Sequence, residues 1–414
     1  MWLLGTDPRV KFDREFPYEN RYLTYFAKFA LLLQRPDLLQ FFNPQQLYEL
    51  EYLGFGGYRP GADYVPASSP YVYLPREEIS SWIRRSWTQF CRPILQQAPE
   101  AMFYAEKAPL WLAPILRESL DCFTVYNVRD PRDVFLSTNA FMKKNKALGF
   151  ARSPSDSDHD HARRLAQAFL NTFDNYQTDR TRSDTVLVRY EDYILDGVTT
   201  AERLRRVIGV TARMDAGQPY VGSHATTSDV RQSVNRWQRE PIPPEVLLYL
   251  ETLLYEAMKA LGYVPSLATG SPTARTISFS DGRINLAAMD HSSDGILQPG
   301  AECAVAQVRG PDFHIFPPLE TFEAAEVKEV WVSVSGEIGN MFSLYWRGPS
   351  TRFGENACIN VPYTPSPHWT ILTFAVHSHP EWKGVIKSLR LDLFNSHVRP
   401  HTGMGRIRWI RLVG

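Results

Sequence analysis

Three short apolar runs are predicted as buried parallel strands. Each run is followed by a side chain suited to ligand binding: Lys107, Arg129 or Tyr190. The carboxyl ends of parallel strands meet at one edge of a sheet, where ligands of α/β proteins bind. Guanidinium and ammonium groups at such an edge are typical partners of phosphate and sulfate oxygens. We therefore expect the three side chains to border one anion-binding cleft.

The segment around Arg129 carries the strongest local signal. Asp130 is placed to cap a helix, and Pro131 suits the first turn, because the N–H that proline lacks has no partner within the helix. A helix N-terminus beside a guanidinium group favours a phosphate, and Ser137, two turns further on, adds a hydroxyl donor. The alternative is that Arg129 only pairs with a carboxylate at the strand end.

The elements that position these residues alternate between helices and short strands as far as residue 264. This pattern predicts an α/β domain with a parallel sheet flanked by helices. The predicted strands are residues 102–105, 123–128 and 185–188. Apolar residues at helical spacing over 79–94 predict a helix whose tryptophans belong to the core.

A stretch rich in Ser, Thr, Gly, Pro and Ala over residues 266–275 is predicted as a linker, because such residues bury little apolar surface. It would separate the α/β domain, 1–265, from an all-β jelly-roll sandwich, 276–414. Alternating or β-rich runs separated by turn residues support the second assignment. The strands predicted there are 327–334, 342–346, 371–376, 386–393 and 407–412.

Composition excludes several classes of function. The 414 residues contain 45 basic and 45 acidic side chains, so nothing predicts general attraction to nucleic acid or to an anionic membrane. The four cysteines lie far apart without a C-x-x-C pair, and we interpret them as reduced thiols of a cytoplasmic protein. Neither a signal peptide nor an apolar run long enough for a membrane span is predicted.

Four segments in order resemble those of the sulfotransferases that use 3′-phosphoadenosine 5′-phosphosulfate (PAPS), in particular the branch related to the glycan and tyrosylprotein enzymes. That family shows a Glu-Lys-Thr-Pro corner, an Arg-Asp-Pro-Arg strand end followed by serine, a Tyr-Glu-Asp corner, and a late serine-containing segment ending in Arg-Trp. Here the segments are 106–109, with Ala108 replacing threonine, 129–137, 190–192 and 226–237. The resemblance implies a P-loop-like parallel sheet.

The resemblance also implies a nucleotide site. Arg129 and Ser137 would hold the 3′-phosphate of PAPS, and Tyr190 would lie near it. Ser228 and Arg236 would close over the nucleotide, although more than one serine of that segment matches the family pattern.

Two residues would act in the transfer itself. Lys107 would meet the sulfuryl group as charge develops on the bridging oxygen; the alternative is an ordinary surface lysine. Glu15, chosen over Glu19, would act as the general base that takes the acceptor proton; alternatively it is a helix-start residue or an ion-pair partner. The transfer needs positioning and charge stabilisation and no metal.

One departure from the family concerns the phosphosulfate-binding loop. Sulfotransferases begin with a strand and a loop containing Lys/Arg-Ser-Gly-Thr, whose N–H groups cradle the 5′-phosphosulfate. The sequence opens instead with residues resembling the helix that follows such a loop. We therefore expect an N-terminally truncated sulfotransferase with a carbohydrate or other hydroxyl acceptor.

Two other functions stay open. One is a non-catalytic glycan-binding or scaffold protein on a degenerate sulfotransferase fold. The other is a kinase, which the missing glycine-rich loop and metal-binding carboxylates disfavour.

The closing segment, 405–412, resembles the last strand of galactose-binding-like jelly rolls, which implies a sugar as a possible ligand of the second domain. Aromatic residues on sandwich strands are more often core residues. The polar and aromatic residues of interest there are Asp312, His314, Trp331, Tyr345, Trp346, Trp369, Trp382 and Asp392.

Overall fold

The structure, a computed structural model, is described for residues 3–12, 21–32, 76–145, 156–213, 225–266, 274–279, 289, 291–300, 303–336, 338–349, 351–363, 365–395 and 402–414. The chain divides into two compact units: the described residues of Met1–Ala30 and Glu77–Ser271 form the first, and those of Leu31–Arg76 and Pro272–Gly414 form the second. The first unit mixes helices with parallel strands, and the second is built mainly from antiparallel sheets.

The described helices of the first unit alternate with its strands, as the sequence predicts. They are α1 (Tyr22–Leu32), α2 (Arg76–Gln97), α3 (Ala113–Ser119), α4 (Pro131–Asn145), α5 (Asp158–Asp179), α6 (Tyr190–Leu195), α7 (Gly197–Ile208) and α8 (Pro244–Ala260). None of these helices combines the length and the apolar character that a membrane crossing requires.

The strands of the first unit form two parallel pairs. They are β1 (Val10–Lys11), β2 (Phe103–Tyr104), β3 (Thr124–Val128) and β4 (Thr185–Arg189). β1 pairs with β2, and β3 pairs with β4. The three predicted strands are thus confirmed as β2, β3 and β4, but the described residues show two separate pairs where one continuous P-loop-like sheet was expected.

One apolar cluster connects the two strand pairs. It contains Val10 of β1, Val186 and Val188 of β4, and Leu204 and Ile208 of α7, all buried. Because β1 and β4 pack against the same helix, the two pairs belong to one core even though no hydrogen bonds join them among the described strands.

The aromatic face of α2 is less buried than its helical spacing predicts. Ile79 and Ile83 are fully buried, whereas Trp82 and Trp87 are only half-buried. Both tryptophan rings lie near Phe26 of α1, at 6.3 and 6.2 Å between ring centres. Periodicity identifies the packing face of the helix, but it does not say how completely that face is covered.

The second unit contains two large antiparallel sheets. The described strands of this unit are β5 (Ala274–Ser278), β6 (Gly295–Pro299), β7 (Ala304–Val308), β8 (His314–Ile315), β9 (Phe322–Glu323), β10 (Glu329–Gly336), β11 (Met341–Arg347), β12 (Cys358–Pro362), β13 (Ser366–Phe374), β14 (Val385–Ile386), β15 (Ser388–Asn395) and β16 (Gly403–Val413). In the first sheet, the strand order is β13-β10-β16-β7-β6, with β5 also paired to β16; in the second, it is β12-β11-β15-β8.

Alternate residues of the two sheets share one core, which makes this region a β-sandwich. Val330 and Val332 of β10 lie in the same buried cluster as Leu344 and Trp346 of β11. The strands predicted in this part are confirmed as β10, β11, β13, β15 and β16. β5 begins at Ala274, within the segment predicted as a linker.

Candidate functional site

Arg129 and Tyr190 meet where two neighbouring parallel strands end. β3 and β4 pair with Val128 opposite Arg189, so the next residue of each chain segment lies at the same edge. The guanidinium carbon of Arg129 is 4.5 Å from the centre of the Tyr190 ring, a distance at which a cation is attracted to an aromatic face. Two residues predicted from separate motifs therefore share one site.

Ser233 completes this site from a 3₁₀ turn, Val230–Ser233. Its carbonyl oxygen accepts a hydrogen bond of 2.8 Å from Nη2 of Arg129, and its hydroxyl oxygen is 2.9 Å from the hydroxyl of Tyr190. Ser228, the serine chosen from the sequence, is exposed, and its Oγ bonds to Oε1 of Gln232. Sequence reasoning found the segment but missed Ser233, because both serines fit its loose pattern.

Arg132, the second arginine of the Arg-Asp-Pro-Arg motif, is committed to the protein itself. Its side chain is 1% exposed, and it donates to both carboxylate oxygens of Asp130 at 2.9 and 2.7 Å. Its third nitrogen donates to Oε1 of Glu251 at 2.5 Å. The Trp237 ring centre lies 3.6 Å from its guanidinium carbon. Because its side chain is 1% exposed and its charge is met by two carboxylates, Arg132 is not available to a ligand.

Arg129 also lies against an aromatic ring, but it differs from Arg132 in its exposure and in its hydrogen bonds. It is half-buried. Within the described part of the chain, its guanidinium donates one hydrogen bond, from Nη2 to the carbonyl oxygen of Ser233. Its Nε is buried and has no hydrogen-bond partner there. A buried donor without an acceptor costs roughly 1–3 kcal/mol, so an anion that accepted from this nitrogen would remove an existing penalty.

The N-terminus of α4 offers fewer free N–H groups than the sequence predicts. The Asp130 N–H donates to Oε1 of Glu191 at 2.9 Å, and the Arg132 N–H donates to Oδ1 of Asp130 at 2.9 Å. Glu191 is itself held by the Tyr263 hydroxyl at 2.9 Å. Carboxylates thus satisfy part of this helix end, and the anion-binding capacity rests on Arg129.

Asp133 is a buried carboxylate close to this site. Its Oδ1 accepts from the Trp237 N–H at 2.9 Å, while Oδ2 is buried without a partner among the described residues. Burial raises the pKa of the carboxyl to about 6. The Trp237 N–H and the positive charge of Arg129 oppose this shift, whereas the negative charges of Asp130 and Glu191 add to it. Through its hydrogen bond with the Trp237 N–H, Asp133 links α4 to the turn that carries Arg236 and Trp237.

Arg236 and Ser137, the other predicted nucleotide ligands, lie in this part of the first unit without touching Arg129. Arg236 is 7% exposed and bonds to Glu240 at 2.7 Å and to Thr226 at 3.2 Å. Ser137 is half-buried on α4. Among the described residues, no hydrogen bond joins either one to Arg129.

Lys107 lies just beyond the end of β2 and is exposed. Its neighbour Glu106 has a structural contact: its carboxylate accepts from the N–H groups of Leu23 and Thr24 at 3.0 and 2.7 Å. These bonds cap the N-terminus of α1 and fix the Glu-Lys corner against that helix. Glu15, the predicted base, and Glu19 lie outside the described residues.

The sequence matches no protein-family model and no curated protein. Among solved structures, the chain is similar to the sulfotransferase domain from the curacin biosynthetic pathway, with a TM-score of 0.32 and 16% identity over 44% of this chain and 68% of that one.

Two carbohydrate-binding modules are also similar. They are the xylan-binding module CBM86 from Roseburia intestinalis (TM-score 0.25, 12% identity, 34% of this chain and 93% of that one) and the C-terminal CBM6 of the laminarinase LamC from Zobellia galactanivorans (TM-score 0.24, 16% identity, 34% and 99%). At TM-scores this low, these similarities establish no activity for the chain.

Proposed function

We propose that this protein transfers a sulfuryl group from PAPS to an acceptor hydroxyl, with a carbohydrate as the acceptor. The observation that carries the proposal is the meeting of Arg129, Tyr190 and Ser233 at adjacent parallel strand ends. A half-buried guanidinium with an unpaired Nε beside an aromatic ring suits a nucleotide phosphate.

In the proposed reaction, the bond between sulfur and the 5′-phosphate oxygen breaks, a bond between sulfur and the acceptor oxygen forms, and the acceptor proton passes to a carboxylate. Arg129 anchors the nucleotide, so that the reacting atoms are held in line. Lys107 is assigned to the charge that develops on the bridging oxygen, and Glu15 to the proton; both assignments rest on the resemblance of their segments to the family.

The test is calorimetric titration of the protein with adenosine 3′,5′-bisphosphate. Arg129→Ala is expected to weaken binding by on the order of 2 kcal/mol, or about thirtyfold, since it removes a charge-assisted contact. Arg231→Ala is the matched control, because Arg231 is an exposed arginine in the 3₁₀ turn that carries Ser233. Equal affinity of wild type and Arg129→Ala would remove Arg129 from the site.

Turnover is measured separately, as transfer of labelled sulfate from PAPS to oligosaccharide acceptors. Lys107→Ala and Glu15→Gln are each expected to suppress turnover while nucleotide affinity stays nearly unchanged. Unchanged turnover in either variant would discard that assignment. Nucleotide binding without any transfer would favour the alternative, a non-catalytic glycan-binding protein on this scaffold.

A further inference from the structure

A buried pair of hydrogen bonds lies directly beside the candidate site. Its centre is Glu191, which is 5% exposed and is the second residue of α6. Oε1 of Glu191 accepts from the Asp130 N–H at 2.9 Å, and Oε2 accepts from the Tyr263 hydroxyl at 2.9 Å. The two donors are 61 and 72 residues away in the chain. We call these three residues the Glu191 bridge.

The Glu191 bridge joins the two segments that carry Arg129 and Tyr190. Asp130 directly follows Arg129, and Glu191 directly follows Tyr190. The pairing of β3 with β4 ends one residue before the guanidinium and the ring, so the strand ladder does not fix the spacing of these two side chains. The bond between the Asp130 N–H and Glu191 continues the connection beyond the ladder.

Tyr263 holds the chain on both sides of Tyr190. The guanidinium carbon of Arg189 lies 4.5 Å from the centre of the Tyr263 ring, and the hydroxyl of the same ring donates to Glu191. Gly262, at a φ of +77°, permits this approach, because a Cβ there would lie 2.9 Å from Nη1 of Arg189. Burial and the Glu191 carboxylate raise the pKa of Tyr263, so its hydroxyl stays protonated and remains a donor.

Charge alone does not explain a glutamate at this position. A carboxylate bonded to the residue next to Arg129 lowers the attraction of this region for phosphate. A carboxylate does offer two acceptor oxygens on one short side chain, and here each oxygen binds a donor from a different segment. The contribution of Glu191 is therefore geometric.

We propose that Glu191, held by Tyr263, is a positioning residue that sets Arg129 and Tyr190 for the nucleotide phosphate. The inference rests on the proposed function, in which Arg129 anchors the nucleotide. A guanidinium binds phosphate strongly when its N–H groups are directed at the phosphate oxygens, and such a site needs its ligands held to within about 0.5 Å. Glu191 acts through Arg129 and Tyr190 and not on the nucleotide itself.

The first test is calorimetric titration of the whole chain with adenosine 3′,5′-bisphosphate. Glu191→Ala is expected to weaken binding about tenfold through misplacement of Arg129, although removal of a negative charge would by itself strengthen binding. Glu191→Gln is expected to stay within about threefold of wild type, because its amide oxygen accepts from the Asp130 N–H and its NH₂ group donates to the Tyr263 oxygen. Glu202→Ala is the matched control, since Glu202 is 56% exposed and pairs with Arg205 at 3.0 Å.

A double-mutant cycle separates positioning from a general loss of stability. If Glu191 acts through Arg129, Glu191→Ala weakens binding by less than about twofold in the Arg129→Ala background. A general loss of stability would weaken binding equally in both backgrounds. Equal losses there, or equal losses in Glu191→Gln and Glu191→Ala, would overturn the positioning role.

The second test needs no nucleotide. Heteronuclear NMR follows the Nε–H signal of Arg129, which is buried in the wild type and is assigned by its disappearance in Arg129→Ala. We expect Glu191→Ala to shift this signal and Glu191→Gln to leave it in place. Tyr263→Phe removes one hydroxyl from the bridge and keeps the ring against Arg189, so it carries both tests if Glu191→Ala does not fold; about a threefold loss of affinity is expected.

The two tests distinguish failure of this inference from failure of the proposed function. A wild type that does not bind the nucleotide, with the Arg129 signal still shifted in Glu191→Ala, would refute the nucleotide site and leave the positioning role standing. Nucleotide binding by the wild type, with neither affinity nor the Arg129 signal changed in Glu191→Ala or Tyr263→Phe, would overturn the positioning role and leave the nucleotide site standing.

Discussion

The buried Asp130–Arg132–Glu251 cluster gives the sharpest test of how the first unit is held together. Arg132 is 1% exposed, its partners Asp130 and Glu251 are 3% and 0% exposed, and all three of its nitrogens donate to carboxylates. Replacing Arg132 by alanine leaves two buried carboxylates without their cation. Removing one partner of a buried pair costs about 3–5 kcal/mol, most of it the penalty of the uncompensated charge.

The chain offers a matched control for this change. Arg182 holds Asp184 with the same two-bond geometry, at 2.9 and 2.6 Å, but these side chains are 45% and 29% exposed. Exposed pairs contribute about 0–1 kcal/mol. The comparison of Arg132→Ala with Arg182→Ala therefore contrasts a buried cluster, in which Glu251 and Trp237 also contact the arginine, with an exposed pair of the same two-bond geometry.

The assay is thermal unfolding followed by far-ultraviolet circular dichroism, since the described α-helices lie in the first unit. At about 2–4 °C per kcal/mol for a unit of this size, Arg132→Ala is expected to lower the melting temperature by about 10 °C. Arg182→Ala is expected to lower it by less than about 4 °C. Equal shifts for the two variants would refute the reasoning, because burial would then have made no difference.

Three further predictions concern single side chains. Ser233→Ala is expected to weaken adenosine 3′,5′-bisphosphate binding several-fold by removing the hydroxyl beside the nucleotide site, while Ser228→Ala, at an exposed serine, leaves calorimetric affinity unchanged. Burial raises the pKa of Asp133 from the ordinary carboxyl value of 3.8 to about 6. The stability contributed by its protonated form is therefore present at low pH and is lost as the pH rises from 3.8 through 6. Asp133→Asn should accordingly melt at a higher temperature than wild type near pH 8 and show little advantage near pH 4. Glu106→Ala removes the cap of α1 and is expected to cost about 1–2 kcal/mol, seen as faster amide exchange over 22–32, whereas Glu100→Ala, at an exposed ion pair, leaves that exchange unchanged.

Contrary outcomes are equally specific. Loss of nucleotide affinity in Ser228→Ala but not in Ser233→Ala would restore the serine chosen from the sequence. A stability advantage of Asp133→Asn that is the same at both pH values would show that the carboxyl does not titrate in this range. Unchanged exchange in Glu106→Ala would mean that other contacts hold the N-terminus of α1.

Much of the fold follows from local patterns. Short apolar runs predict β2, β3 and β4, although β2 is only half-buried and Asn127 of β3 is exposed. Alternation predicts the main sandwich strands, because each has one side in the core. The pairing of these strands depends on distant residues, so the sequence did not reveal that the described parallel strands form two separate pairs. The half-exposed Trp82 and Trp87 of α2 illustrate the same limit, since coverage depends on what else packs there.

The candidate site was predictable to the level of segments and not of atoms. Arg129 and Tyr190 each follow an apolar run, so parallel pairing of these runs was enough to bring them together. Ser233 was not predictable, because its position depends on a 3₁₀ turn that directs its carbonyl and hydroxyl to two different partners.

The two arginines of the Arg-Asp-Pro-Arg motif show why contacts, and not residue type, decide function here. Arg132 is surrounded by carboxylates and capped by the Trp237 ring, so its charge is neutralised and its role is to join α4 to α8 and to the turn that follows Ser233. Arg129 contacts one carbonyl oxygen, that of Ser233, and the face of the Tyr190 ring, neither of which carries a negative charge. Among the described residues no ion pair holds Arg129, and the buried carboxyl of Asp133 acts on it only through its charge. A half-buried cation compensated this weakly is stabilised further by solvent or by an anion. Arg132 therefore stabilises the N-terminus of α4, and this fixed segment holds the neighbouring Arg129 in position for a phosphate.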